Sequence, residues 1–78
     1  MPHVLVKLYS GRSELQKTVL AQDISKAVAA SLGNPEDFVT VGIEDVEESQ
    51  WVDDVFKPEI LGKDDTIYKK PGYDPLNC

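Results

Sequence analysis

Residues 3–9 read HVLVKLY, residues 39–46 read VTVGIEDV, and the segment between them carries a helical pattern. In the first stretch the apolar residues Val4, Val6 and Leu8 alternate with the residues around them. In the second stretch Val39 and Ile43 mark the same alternation. A period of two is typical of a β-strand that buries one face, so both stretches are predicted to be strands.

The intervening segment has the signals of one long helix. Ser13 is the predicted N-cap, and Gln16 three residues later completes a capping box. Gly33 provides a stop signal at the other end. The predicted apolar stripe follows spacings of three and four residues, over Leu20, Ile24, Ala27, Val28 and Ser31. A strand, a long helix and a second strand predict a β-α-β unit with parallel strands and a right-handed crossover.

The remainder of the chain predicts short elements. Ser49 is a candidate cap for a short helix, and Lys57-Pro58 is expected to break or restart it. The segment 66–68 fits either a short strand or a last helical turn. We therefore expect an α+β fold in a single domain over residues 1–78, in which the β-α-β unit is followed by a short C-terminal helix/turn segment.

The small size predicts self-association. A chain of 78 residues builds a marginal core, and small domains are usually stabilised by disulfides, a metal or a partner subunit. The single cysteine, Cys78, cannot form an internal disulfide, and His3 is the only histidine, so no metal site is expected. A two-stranded parallel sheet also leaves a face and its edges uncovered. Oligomerisation is therefore expected to complete the fold.

Charge and hydropathy exclude several classes of partner. Fourteen acidic and eight basic residues give a net charge of −6, whereas a nucleic-acid surface would carry clustered Lys and Arg. There is no long apolar run of the kind that a membrane helix or a signal peptide needs. Together with the single cysteine, these observations predict a cytoplasmic protein that contacts neither nucleic acid nor membrane.

Pro2 is the first candidate for chemistry. A small residue after Met1 normally permits removal of that methionine, which would leave Pro2 with a free secondary amine. An α-amino group titrates near pH ~8, and burial or a nearby cation lowers the pKa of an amine. A base close to the working pH suits proton transfer. A Met-Pro start also occurs in proteins without such chemistry.

Arg12 and Trp51 are the further candidates. Arg12 is the only arginine, and its planar guanidinium can bind a carboxylate through two hydrogen bonds next to the predicted helix start. The alternative is a solvated arginine beside Glu14. Trp51, the only tryptophan, could wall a pocket and exclude water, or could anchor the second helix or an interface.

The order and spacing of these residues carry a family resemblance over nearly the whole chain. Met1-Pro2-His3 opens an alternating strand, Gly11-Arg12-Ser13 leads into the helix, Trp51 follows the second strand, and residues 69–73 read KKPGY. In these features the chain resembles the tautomerase superfamily, in particular its short 4-oxalocrotonate tautomerase-like members, and most of all their dimeric PptA-type branch.

The resemblance implies a cofactor-independent and metal-independent isomerase. Pro2 would move a proton between carbon and oxygen of a keto/enol pair, Arg12 would hold the carboxylate of a small enolisable acid, and Trp51 would form the apolar wall. The branch implies a homodimer in preference to the hexamer of the founding enzymes. Thr40 occupies the place of a second-strand arginine of the founding enzymes, which leaves the substrate open.

Two alternatives to a tautomerase remain at this stage. The same proline could serve dehalogenation/hydration or decarboxylation, as in other members of the superfamily. The chain could also be a non-enzymatic interaction module with an acidic surface.

Overall fold

A computed structural model describes residues 1–76 of the chain. The described chain forms two compact units, of which the first is Met1–Asp45 and the second begins at Val46. The expectation of a single domain over residues 1–78 stays a prediction. Cys78, for which an internal disulfide was excluded above, lies outside the described residues.

The first unit is the expected β-α-β arrangement. Strand β1 (His3–Tyr9), helix α1 (Glu14–Leu32) and strand β2 (Thr40–Val46) follow one another, with a 3₁₀ turn at Glu36–Phe38 that was not predicted. The two strands form one parallel sheet in the order β1-β2. The α+β prediction is thereby confirmed, with β2 starting one residue later than expected.

Helix α1 begins and ends where local sequence chemistry requires. The Ser13 hydroxyl accepts a hydrogen bond from the Gln16 N–H at 3.0 Å, and the Gln16 side chain accepts one from the Ser13 N–H at 2.9 Å. This capping box satisfies two backbone donors that the first turn leaves without partners, and such a cap typically contributes about 1 kcal/mol. Gly33 ends the helix at φ 70°, in the left-handed region that side chains with a Cβ disfavour.

Helix α1 covers one face of the sheet. Val4, Val6 and Leu8 are half-buried in β1. In β2, Asp45 alternates onto the face of Val41, and it forms a 3.2 Å ion pair with Lys17 of α1. This ion pair places the helix over that face.

The covered side of α1 differs in part from the predicted stripe. Leu20, Ile24 and Val28 are half-buried as expected, but Ala27 and Ser31 are exposed. The half-buried positions instead extend toward the other side of the stripe, over Lys17, Ala21, Ser25 and Ala29. Those small side chains and one ion-paired lysine sit beside the stripe, so the helix is rotated from the orientation that apolar residues alone predict.

The opposite face of the sheet is open. Leu5 is 47% exposed, and its Cδ1 atom lies 3.4 Å from the position that a Cβ on Gly42 would occupy. His3 and Thr40 neighbour each other on this same face. None of residues 1–45 is fully buried, so the first unit has only a one-sided core.

The second unit is built around a wide helix. A 3₁₀ turn at Glu48–Gln50 precedes a π-helix at Val52–Leu61, and a further 3₁₀ turn lies at Asp64–Thr66. Val55 and Phe56, the fully buried apolar residues of the described chain, lie in the π-helix. The short helix/turn segment is thus confirmed, and the segment 66–68 includes the end of a helical turn and no strand.

Two details of the predicted second helix are wrong. Ser49 lies inside the 3₁₀ turn and does not cap the helix that follows. Pro58 lies within the π-helix and does not break it. A proline clashes with the carbonyl four residues before it in an α-helix, whereas the wider π turn pairs residues five apart. The Gly62 N–H accordingly donates to the Lys57 carbonyl at 2.8 Å.

Candidate active site

Pro2 is held at the start of the sheet. Its carbonyl accepts a hydrogen bond from the Thr40 N–H at 3.1 Å, so the first residue of β2 fixes Pro2 just before β1. Met1, whose peptide bond contains the Pro2 nitrogen, is 96% exposed. Removal of Met1 would therefore cost almost no packing, and it would place the secondary amine at an accessible end of the sheet.

Arg12 lies in the turn between β1 and α1, beside a shallow pocket. Gln16, Lys17 and Leu20 of α1 line this pocket with Arg12 and Leu8, around a volume of about 180 Å³. The side-chain amine of Lys17 is committed to Asp45 and Glu14, each at 3.2 Å. Arg12, in contrast, makes no ion pair or hydrogen bond with residues 1–76. Its guanidinium is the cation in this pocket that is available to an anion.

The carboxylates around Lys17 also change its titration. The hydrogen bond to Asp45, and to a smaller extent the one to Glu14, raise the pKa of Lys17 above its ordinary value of 10.5. Lys17 therefore keeps its charge at working pH, and that charge is balanced by its own partners. The pocket presents one uncompensated positive group, Arg12.

Pro2 and Arg12 of one protomer are not brought together. They flank β1 at its two ends, and a strand of seven residues that rise about 3.3 Å each is roughly 23 Å long. A pocket of about 180 Å³ is also smaller than the 300–1,000 Å³ typical of ligand sites. A site that uses both residues needs a second subunit.

Trp51 belongs to the second unit, directly before the π-helix. It is half-buried, and its indole N–H donates to the Tyr73 hydroxyl at 3.3 Å. The Tyr73 ring lies 5.8 Å from the Phe56 ring, at a tilt of 48°. Tyr73 therefore joins Trp51 and Phe56 in an aromatic cluster that nothing in the residue spacing indicated beforehand.

The pairing of His3 with Thr40 was also missed from the sequence. The imidazole Nδ1 and the threonine hydroxyl oxygen form a hydrogen bond across the two strands. Their separation of 37 positions gives no local signal, and only the register of β1 against β2 brings them together.

Comparison with known proteins shows the family of this chain. The family model described as "Tautomerase enzyme" matches residues 2–56, a range that contains Pro2, Arg12 and Trp51. The chain belongs to the tautomerase family. It is an isomerase, and among the alternatives raised above the tautomerase is the one that these findings favour.

The curated relatives extend beyond the matched range. A probable tautomerase of Xylella fastidiosa (strain 9a5c) is 36% identical over 97% of this chain and 93% of its own. Tautomerase PptA of Pectobacterium carotovorum subsp. carotovorum (strain PC1) is 35% identical over 94% of this chain and 97% of its own. The tautomerase thus has relatives of nearly its full length.

A solved structure supports the fold. The crystal structure of apo unfused 4-OT superimposes with a TM-score of 0.61 at 31% identity, covering 63% of this chain and 80% of its own. Membership of the family implies a small-molecule substrate and an oligomeric assembly. Among residues 1–76, no helix of the tautomerase has the length and apolar character needed to cross a membrane.

Proposed function

We propose that this tautomerase interconverts the keto and enol forms of a small carboxylic acid, with Pro2 as the proton-transferring group. Pro2, freed of Met1, is the general base that takes a proton from one of the two reacting atoms and the general acid that returns it to the other. The Arg12 guanidinium holds the carboxylate. The uncompensated charge of Arg12 in a pocket whose other cation is neutralised is the observation that carries this proposal.

Proton transfer of this kind needs an amine in a fixed place. The hydrogen bond from the Thr40 N–H holds the Pro2 carbonyl, and the pyrrolidine ring restricts the remaining backbone rotation. A positioned acid or base typically contributes 10²–10⁴-fold to a rate. Fixing Pro2 by the sheet therefore supports its use as the catalyst.

The substrate carboxylate would meet Arg12 of one protomer and Pro2 of another. The length of β1 separates the two residues within a protomer, so assembly is part of the site. We propose a homodimer in which this occurs, in preference to a hexamer. The free guanidinium can form two parallel hydrogen bonds to the carboxylate and so orient the reacting carbon.

Trp51 is proposed as the apolar wall. The proposal rests on the family resemblance and on the hydrogen bond from the indole N–H to Tyr73, which fixes the orientation of the ring. An apolar wall excludes water and disfavours the charged form of an amine. The proposed reaction uses no cofactor or metal and takes place in the cytoplasm.

The test is ketonisation of phenylenolpyruvate, a small enol acid, by the wild type and by Pro2→Ala. We expect a loss of about 10²-fold or more in kcat/KM for the variant, with an unchanged circular dichroism spectrum. Intact mass should show that Met1 is absent from both proteins. A chain with an N-terminal extension, in which the Pro2 nitrogen stays in a peptide bond, is the matched control and should be inactive.

Retention of Met1 in the active protein would reject Pro2 as the base. So would full turnover by Pro2→Ala or by the extended chain.

A further inference from the structure

Thr40 binds two consecutive residues at the start of β1. Its backbone N–H donates to the Pro2 carbonyl at 3.1 Å, and its hydroxyl forms the hydrogen bond with Nδ1 of His3. A single residue of β2 therefore sets the positions of Pro2 and of the imidazole beside it. The His3 and Thr40 side chains are both exposed on the open face of the sheet.

This hydrogen bond determines which imidazole nitrogen remains available. When the Thr40 hydroxyl donates to Nδ1, the neutral ring carries its proton on Nε2. Nε2 makes no hydrogen bond with residues 1–76. With the Thr40 hydroxyl assigned as the donor, the ring presents an N–H donor on the side away from Thr40.

The donor lies in the part of the molecule where the proposed reaction needs one. Pro2 and His3 are consecutive residues with Cα atoms 3.8 Å apart, so both belong to the same end of β1, whereas Arg12 is at the far end of that strand. Moving a proton off carbon leaves negative charge on the substrate oxygen, and a preorganised donor aimed at that oxygen lowers the barrier. The Thr40 hydroxyl is committed to His3 and cannot be the primary donor.

We propose that His3 is a catalytic residue that donates a hydrogen bond from Nε2 to the carbonyl or enolate oxygen of the substrate, and that Thr40 is its positioning residue. The Nε2 proton stays on the ring throughout, so the proton that moves is the one handled by Pro2. This inference rests on the proposed function of Pro2 and adds to it the group that stabilises the developing charge.

Two amide substitutions separate this role from a structural one. Gln places its side-chain NH₂ near the position of Nε2, whereas Asn places its amide oxygen, which can accept from the Thr40 hydroxyl, near Nδ1. His3→Gln keeps a donor toward the substrate and loses the bond to Thr40, and His3→Asn does the opposite. We expect His3→Asn to lose about 10²-fold in kcat for phenylenolpyruvate ketonisation, and His3→Gln to lose less than about tenfold.

If the pair served only to join β1 to β2, the order would reverse, with His3→Asn active and His3→Gln impaired. That order, or wild-type kcat in His3→Asn, would overturn the proposal. Light scattering after size exclusion is measured for each variant, because loss of activity that follows loss of assembly would make His3 an interface residue and would also overturn it.

Thr40 is tested by Thr40→Ser and Thr40→Val. Both keep the backbone N–H that binds Pro2, but only serine keeps the hydroxyl. We expect Thr40→Ser to retain at least half of the wild-type kcat and Thr40→Val to lose about tenfold, with KM changing less than kcat. Equal kcat values for the two variants would reject the positioning role.

Failure of this inference and failure of the proposed function are distinguishable. An inactive Pro2→Ala together with a fully active His3→Asn rejects the role of His3 and leaves Pro2 as the catalyst. An active Pro2→Ala rejects the proposed function itself and the role of His3 with it.

Discussion

At the scale of single residues, Arg12 is exposed and forms no ion pair with residues 1–76, which fits both a carboxylate-binding residue and a solvated arginine beside Glu14. The carboxylate of Glu14 binds Lys17. The choice between the two interpretations of Arg12 stays a prediction. Arg12 could be identified from the sequence because it is the only arginine and directly precedes a helix. The ion pair between Glu14 and Lys17, which leaves Arg12 without that carboxylate, forms only once the helix has folded.

Arg12→Ala is expected to weaken substrate binding. Loss of a charge-assisted contact with a carboxylate costs about 1.5–3 kcal/mol, so KM should rise by roughly 10- to 100-fold while kcat falls less. Steady-state kinetics with phenylenolpyruvate measures both constants. Lys26→Ala is the matched control, because Lys26 is an exposed cation of the helix α1 that follows Arg12 and its loss should leave KM unchanged. An unaltered KM in Arg12→Ala would identify Arg12 as a surface residue.

At the scale of elements, the bounds of β1 and α1 were predictable because their determinants are local. Alternation and the Ser13–Gln16 capping box act within a few residues. The rotation of α1 was not predictable in the same way. It depends on Lys17 reaching Asp45, 28 positions later in β2, and the pattern of apolar residues contains no information about that contact. The place of Pro58 inside a helix was also not predictable, because the rules for α-helices exclude a proline that a π-helix can contain.

The contact between α1 and β2 predicts a pH dependence of stability. The pKa of Lys17 is raised in the folded state, first by Asp45 and then by Glu14. The resulting stabilisation is complete below the unfolded pKa, near 10.5, and is lost as pH rises through the folded value. Lys17→Met should therefore lower the free energy of unfolding at pH 7.5, and its difference from the wild type should shrink at pH 11.

Urea unfolding at the two pH values checks this expectation. Lys26→Met is the control, since Lys26 forms no ion pair with residues 1–76 and its small effect should not depend on pH in this way. A difference between Lys17→Met and the wild type that stays constant from pH 7.5 to 11 would contradict the assignment.

At the scale of the whole molecule, the open face of the two-stranded sheet is the dominant feature. Leu5 and Tyr9 are 47% and 44% exposed, and the first unit has no fully buried residue. A sheet of two strands with one face uncovered is marginal in water. Chain length and strand count predicted that the fold needs a partner subunit. The exposed side chains indicate that this partner covers the face of the sheet opposite α1.

Leu5→Glu is expected to prevent self-association. Placing a charge on the open face makes its burial against a partner costly, so light scattering should report a monomer for the variant and the proposed dimer for the wild type. The melting temperature of the wild type should rise with protein concentration, and that of the variant should not. Leu15→Glu, at a position of α1 that is 73% exposed, is the control and should remain a dimer. A dimeric Leu5→Glu would place the interface elsewhere.

The sequence by itself determined the order of elements, the ends of α1, the candidate residues Pro2, Arg12 and Trp51, and the resemblance to tautomerases, because each depends on neighbouring residues or on their spacing. Only the tertiary structure decided that Lys17 is neutralised while Arg12 is free, and that Thr40 holds both Pro2 and His3. The contact of Lys17 with Asp45 and those of Thr40 with His3 and Pro2 join residues 28 to 38 positions apart. Such pairs form only when two strands adopt one register and a helix settles on their shared face.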